Sequence, residues 1–419
     1  MTSAAPPTIA VIGAGVAACS LLAALRRGGW GGAITLLESG RGPGGRTATR
    51  RSRSDGDLRL DHGAPLFNIA HSPAPALLAP LLASGAIAPY GGAVACLTGA
   101  DGRLAVGTAS ANDPLLAGER YAGIGGMDRL CAGLLVLAAA AAPGTAPAVG
   151  QRFGVLVRRL EPLAGGGWRL LDPQGAELVR TDWLVLTSTL PAHPRTRLLL
   201  DWPEEPLREA ARHLQDPRLD HALASIASIR SQARSNLLLV CAGEAAAAWR
   251  ALPFRLLCFD DLAQQRWGLS RLSIQELDDG RVAVVAQSTA VFAAEHLSVY
   301  GSGSAIAALL ASPPRQEEEL AVIGSLREAL GQALAGLLPP AALAAGEGRL
   351  MRWGAAFPLR PGLPPELALC PDSQLGFCGD YIELPGFGRV EGALRSGEWL
   401  ADRLLERLGG AEPPVRPGA

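Results

Sequence analysis

Apolar positions along the chain change period in a regular way. Ile9 to Ile12 is a short β-branched run, which predicts a buried strand. Glycines follow at once. Val16 to Arg27 then carries apolar residues at helical spacing, and Ala33 to Leu37 forms a second strand that ends on Glu38. Leu58 to Phe67 alternates until Asp61-His62-Gly63 breaks it. Ala74 to Ser84 predicts a short helix, and Val94 to Val106 a hairpin around Asp101-Gly102. Tyr121 to Ala142 holds Gly125-Gly126-Met127 and then a helical run, ended by the Pro143–Gly150 connector. Phe153 to Arg180 contains two alternating segments around Gly165-Gly166-Gly167, and Trp183 to Thr187 predicts a third buried strand with a polar end.

The pattern changes between Pro191 and Glu347. Pro203 and Pro206 open a helix. Ser235–Cys241, Leu256–Phe259, Trp267–Gln275 and Arg281–Ala286 predict strands, and Gln316 to Leu337 an amphipathic helix. Leu350 to Ala356 begins the return, Leu375 to Cys378 is a strand, and Gly388 to Leu408 is a helix entered through glycines. Strands followed by helices, inserted into a nucleotide-type fold, predict an α/β chain with a smaller α+β substrate domain on an antiparallel sheet. The expected division gives residues 1–75, 120–190 and 348–408 to a discontinuous Rossmann-like domain. Residues 76–119 and 191–347 form the substrate domain, and the Pro- and Gly-rich 409–419 a disordered tail.

The chemistry starts at the first turn. Gly13 makes it tight, and Gly15 lets backbone approach a pyrophosphate. Ala18 supplies the small residue that helix–strand packing needs, with Ala14 and Ala17 beside these positions. The helix N-terminus offers free N–H groups to phosphates. Glu38 lies roughly 20 residues on, where a carboxylate accepts ribose hydroxyls and repels a 2′-phosphate. Ser39 follows, and then Arg41-Gly42-Pro43-Gly44-Gly45-Arg46, a second anion-binding loop suited to a larger dinucleotide of the FAD type. Asp61-His62 either lines a ligand site or forms a solvated turn.

Composition narrows the function. The 419 residues suffice for two cores. A net charge of −1 gives no general attraction to nucleic acid or anionic membrane. All 38 basic residues are arginines, so no lysine base or Schiff base can form. The seven cysteines lack a CxxC pair, which fits reduced thiols in a cytoplasmic protein, and the six histidines lack metal spacing, so no metal is expected. Leu130 to Thr145, an uncharged and strongly apolar run that Pro143-Gly144 breaks, is shorter than the roughly 20 residues of a membrane span. The N-terminus enters the first strand with no room for a leader, an expectation that also favours the cytoplasm.

Glu38, Gly44-Gly45-Arg46 and the terminal Gly379-Asp380…Arg389-Val390-Glu391-Gly392-Ala393 together resemble the FAD-dependent flavin amine oxidase superfamily. LDHGAPLF from Leu60, YAGIGGMDRL from Tyr121 and RWGAAFP from Arg352 make the chain most similar to its bacterial renalase-like members. The resemblance implies that Gly13, Gly15, Glu38, Arg41, Gly45 and Arg46 hold the adenosine diphosphate part of FAD. It places Val157 at the adenine, Asp380 after Gly379 on the ribityl chain, and Arg389, Val390, Glu391 and Ala393 at the flavin end. His62, Arg352, Trp353 and Tyr381 are candidates for the lining of the active site. Pro65 and Leu66 depart from the family pattern, as do the extra residues between Asp380 and Arg389. The implied activity is oxidation of a dihydronicotinamide-type small molecule, with oxygen as acceptor and hydrogen peroxide as product. An amine oxidase or desaturase of the same superfamily is the second reading, and a non-enzymatic FAD-binding protein the third.

Overall fold

The computed structural model describes residues 5–52, 55–56, 58–107, 116–144, 146–302 and 315–408. The expected tail at 409–419 lies outside them.

Two large sheets organise the chain. The first has six strands in the order Gly150–Phe153, Ile34–Glu38, Ile9–Ile12, Trp183–Leu186, Leu375–Phe377 and Leu369–Cys370. The first four neighbour pairs in that order are parallel and the last is antiparallel, and Ile9 aligns with Ile34 on one side and Trp183 on the other. The chain leaves Ile12 through the helix Val16–Arg27 toward one edge and later returns on the other side of the same strand. That reversal opens a crevice at the carboxyl end of Ile9–Ile12, where open α/β sheets bind ligands.

Helices cover both faces of this sheet. Val16–Arg27 packs between Asp128–Ala140 and Val390–Leu408, and its Ala18, Cys19, Leu21, Leu22 and Leu25 are fully buried. The crossing with the last helix is close enough to need glycine. A Cβ at Gly397 would lie 2.5 Å from the Ala17 carbonyl oxygen, and Ser20 Oγ donates to the Leu394 carbonyl oxygen at 2.8 Å. On the opposite face, Leu207, Leu219, Leu223 and Ile226 pack with Leu37, Leu184, Leu186 and Phe377.

The second sheet has seven strands: Glu347–Pro358, Ser231–Cys241, Val282–Ser288, Leu269–Glu276, Leu256–Phe259, Val94–Leu97 and Leu104–Val106. All its pairs are antiparallel except Leu256–Phe259 with Val94–Leu97. Gly243–Ala251 and Gln316–Ala333 cover one face with Trp249, Val322, Leu326 and Leu330. Its other face looks toward the first sheet.

Strand pairing and core membership distribute several segments differently from the sequence reading. Glu347–Pro358 hydrogen-bonds along Ser231–Cys241 in the second sheet, although the segment from 348 was expected in the nucleotide domain. Pro206–Ala211 and Pro217–Ser228, expected with the substrate domain, cover the nucleotide sheet. Leu77, Leu78, Leu81 and Ile87 also join the nucleotide core, which leaves, among the described residues of that stretch, the 94–106 hairpin in the second sheet. An amphipathic helix or strand announces that it has an apolar face but not which layer covers it. Gly150–Phe153 is an edge strand parallel to Ile34–Glu38, so the alternation expected from Phe153 begins at Arg159. The Gly165-Gly166-Gly167 turn joins two strands of a three-stranded meander, with Gly166 and Gly167 at φ of 89° and 85°.

Candidate functional site

One cavity of about 300 Å³ lies between the two sheets. Its first wall is built from turns of the nucleotide sheet. Gly13 adopts φ 101°, and a Cβ there would sit 2.4 Å from Thr187 Oγ1. Only glycine fits both the backbone and the space. Gly15 has an ordinary φ of −79°, and a Cβ there would meet nothing within 4 Å. A side chain at 15 would therefore project into the open cavity without disturbing the fold. The second glycine loop docks on the first: Gly44 N–H donates to the Ala14 carbonyl oxygen at 2.9 Å, and Gly45 adopts φ 55°. Ala14 and Ala18 are fully buried behind these turns, whereas Ala17 reaches the cavity.

Two carboxylates face this wall. Glu38 ends its strand on the cavity and accepts the N–H groups of Ala14 at 2.8 Å and Gly40 at 2.6 Å. Ser39 Oγ donates to the same carboxylate at 3.2 Å but is itself exposed. Asp380, 5% exposed, accepts a bidentate fork from Arg46 at 2.7 and 2.6 Å. Residues 334 apart are thereby clamped together, and Arg46 also donates to the Ala356 carbonyl oxygen at 2.8 Å. Gly379, beside Asp380, is fixed by its N–H donating to Ser396 Oγ at 2.9 Å.

The last helix points its N-terminus at the cavity, and Gly388, Arg389, Val390 and Ala393 line it there. Glu391 does not line it. Its fully buried carboxylate accepts the N–H groups of Ala70 and His71, the His71 ring and Arg395, all within 3.1 Å. Burial alone would raise its pKa, but the His71, Ala70 and Arg395 hydrogen bonds outweigh that and lower it. Glu391 thus holds the start of the helix against the loop at 70–71.

The four lining candidates have different placements. Trp353 lines the cavity. The His62 ring packs edge-on against it, with centroids 5.5 Å apart, and the His62 carbonyl accepts from Trp353 Nε1 and Asn236 Nδ2. Burial, aided by Arg50, pushes the imidazole pKa down to about 4, so it stays neutral at pH 7. Its neighbour Asp61 is pushed up to about 6 by burial, while Thr49 and the Met127 N–H donate to it. The Asp61 backbone exchanges both bonds with the Gln275 amide, at 2.8 and 2.9 Å. The Asp61-His62 turn is therefore a joint between the two sheets rather than a solvated turn. Arg352 lies over the Tyr300 ring at 3.8 Å, away from the cavity lining. Tyr381 is buried in the nucleotide core, where its hydroxyl donates to the Leu186 carbonyl oxygen at 3.3 Å. Among the remaining binding candidates, Arg41 is exposed, and Val157 packs on the apolar core, outside the residues that line the cavity.

Of the second wall, the sequence pointed to Trp353 and to the Pro65-Leu66 departure, and the rest went unread. That wall comprises Gly63 to Asn68, Leu116, Leu256, Arg271, Gln287 and Phe357. Arg271 and Gln287 face each other across adjacent strands, and Gln287 also pairs with Asn236. Such cross-strand neighbours share a sheet face. Strand alternation signals that each points to one side, but not which side meets a ligand. Thr187 and Ser188 also line the site. Their signal was present as the polar end of a buried strand.

The first wall fits a dinucleotide. It has space beside Gly15, a carboxylate at the end of the second strand and a helix N-terminus across the cavity. Fold and site together define an α/β architecture with a Rossmann-like sheet facing a second, antiparallel one. Residues 11–81 match the NAD(P)-binding Rossmann-like domain family. Among solved structures, a triple mutant of putrescine oxidase from a redesign of cofactor binding is 14% identical, with TM-score 0.57, over 96% of this chain and 99% of that one. Cyclohexylamine oxidase from Brevibacterium oxydans IH-35A is also 14% identical, with TM-score 0.58, over 96% and 100%. An oxidoreductase from Methanosarcina mazei is 12% identical, with TM-score 0.58, over 94% and 100%. The chain shares their fold across nearly its full length. No curated protein matches it by sequence.

Proposed function

We propose that the chain is an FAD-dependent oxidoreductase that oxidises a small dihydronicotinamide-type molecule, with oxygen as electron acceptor. The observation that carries the reading is the convergence of the Gly13–Gly15 turn, Glu38, the Arg46–Asp380 pair and the last helix N-terminus on one cavity. FMN lacks the adenosine half for which the first turn and Glu38 are built. The shared fold of two amine oxidases and a further oxidoreductase supports the same class.

Bound flavin would supply the two-electron chemistry. The protein's residues bind and orient. Gly15 admits the pyrophosphate, and Glu38 accepts the ribose hydroxyls. Asp380, held in place by the Arg46 fork, would accept from the ribityl chain. The N-terminus of the last helix, beginning at Val390, would place a positive dipole end where the flavin gains negative charge. Leu66, Leu256, Trp353 and Phe357 exclude water from the opposite face. No lysine exists to act there.

Anaerobic titration of the purified protein with dihydronicotinamide isomers, amines and polyenes tests the reading. Bleaching of the visible flavin band by a dihydronicotinamide supports it. Bleaching by amines or polyenes alone moves the chain to the second reading, and bleaching by none to a binding protein.

A further inference from the structure

A second cavity, of about 680 Å³, abuts the first. Phe357, Gly388 and Arg389 line both, so the two spaces meet at the end where the last helix starts. One wall of the second cavity is the loop from Glu383 to Gly388, part of the stretch between Asp380 and Arg389 that departs from the family pattern. Gln232 and Arg234 line it from the antiparallel sheet. Its rim reaches the surface. Pro385 is exposed, and the Arg360 side chain, paired with Glu383 and stacked over the Phe387 ring at 4.6 Å, is 63% exposed. The partition between the cavities is built at a break in the sheet. Gln232 pairs with Phe357 and Arg234 with Trp353, so Ala233 stands opposite Gly354, Ala355 and Ala356. A bulge of this kind interrupts the ladder and re-aims side chains. There the Ala356 carbonyl oxygen accepts from Arg46, and the Phe357 ring lies half-buried under the Arg234 guanidinium at 5.2 Å. Arg234 is fixed in turn, donating to the Ala233 carbonyl oxygen at 2.8 Å and to Gln232 Oε1 at 3.0 Å. A ring held by a cation–π contact can turn about its side-chain bonds without unfolding the strand that carries it.

We propose that substrate reaches the flavin end through the second cavity, and that Phe357 is the gate that limits by width what passes. The proposal rests on the oxidoreductase reading and deepens it by naming a specificity-determining residue. With its ring in place, Phe357 closes the first cavity and keeps water from it. With the ring turned aside, passage runs between Phe357 and Gly388, where the glycine presents backbone without a side chain. A flat ring enters such a slot edge-on, and a bulkier substituent is held back.

A reversible plug tests the route. All seven native cysteines are buried, so a methanethiosulfonate reagent with a bulky aromatic tail finds a cysteine introduced at the rim. Pro385→Cys and Gln232→Cys place it on two different walls of the second cavity, and Ser325→Cys, exposed on the helix Gln316–Ala333, is the control. Each FAD-loaded variant is compared with itself before labelling, after labelling and after release of the label by dithiothreitol. The label on either cavity variant is expected to slow bleaching of the flavin by the active donor about ten-fold or more, and to lower iodide quenching of flavin fluorescence about two-fold or more. Dithiothreitol restores both, and the label on the control changes neither. Phe357→Ala is expected to keep its flavin content per chain, to raise iodide quenching, and to narrow the rate ratio between the smallest and the largest donors that bleach the flavin. Phe357→Trp widens that ratio. Flavin-loaded protein indifferent to both cavity labels overturns the proposal and leaves the oxidoreductase reading standing. Parental quenching in Phe357→Ala overturns the gate in the same way. Quenching that follows the labels in protein that no donor bleaches spares the passage and defeats the reading. Protein that takes up no flavin overturns both. If one cysteine variant fails to fold, the other decides.

Discussion

The two walls of the cavity are made of different material. The nucleotide wall is rich in glycine backbone, at Gly13, Gly15, Gly44, Gly45, Gly379 and Gly388, with charged side chains at Glu38, Arg46, Asp380 and Arg389 and mostly small ones beside them. The opposite wall consists of side chains on a sheet face, including Leu256, Arg271, Gln287, Trp353 and Phe357. A backbone wall recognises what every dinucleotide shares, namely phosphates and ribose. A side-chain wall can be exchanged residue by residue without refolding the chain, which is how one fold carries different substrates. A side chain added at Gly13 or Gly15 should therefore abolish cofactor binding, whereas exchanging Leu256 or Phe357 on the second wall should leave it in place.

Gly13→Val breaks the comparison hardest. The substitution places a β-branched residue at φ 101° and a Cβ 2.4 Å from Thr187 Oγ1. Strain and overpacking together should cost ~3 kcal/mol or more, seen as insoluble protein or a large fall in Tm. Gly15→Val sharpens it, since nothing stands within 4 Å of that Cβ. Thermal melts should stay near the parent apoprotein while FAD binding is almost abolished; equal damage to folding by both variants would contradict the geometry.

Asp380→Ala removes the acceptor of the Arg46 fork and should release FAD, whereas Asp279→Ala, in a turn where it pairs with Arg281, should not. Flavin absorbance per chain distinguishes the two. Glu38→Ala should weaken FAD by ~1.5–3 kcal/mol, the worth of hydrogen bonds to a charged group, measured by titration of the apoprotein.

The smallest effect is a pH slope at the joint between the walls. His62 has a folded pKa of about 4, below its ordinary 6.5, so its neutral form is favoured by folding. Its contribution is present above pH 6.5 and is lost as pH falls toward 4. Asp61 is raised from 3.8 to about 6, so its contribution is present below pH 3.8 and is lost as pH rises through 6. The neighbours oppose each other between pH 4 and 6. Denaturant unfolding across that range should show His62→Leu losing less stability on acidification than the parent, and Asp61→Asn losing more. Slopes that change in the same direction would refute the assignment.

The contrast between walls also explains what the sequence made legible. The turn at Gly13–Gly15, the strand ending on Glu38 and the helix entered near Val390 follow from local spacing, and each forms where the spacing places it. Glu391 was visible as a residue of that helix start, but its direction was not. It points back to His71 because a buried carboxylate needs donors, and those lie 320 residues away in sequence. The chain layout was harder still. Glu347–Pro358 looks like a return to the first domain because a strand follows a helix, yet its partner is Ser231–Cys241. Long-range pairing of this kind leaves no mark in one sequence, and Arg271 beside Gln287 escaped notice for the same reason.

The account rests on the first wall holding a flavin dinucleotide, and the flavin itself gives the most direct measurement. The chain is purified, supplied with excess FAD and FMN together, freed of unbound flavin and then acid-extracted, and the released flavin is separated by chromatography. The account predicts about one FAD per chain, little FMN, and almost no flavin from Gly15→Val. Recovery of FMN, of no flavin, or of equal FAD from Gly15→Val would contradict it.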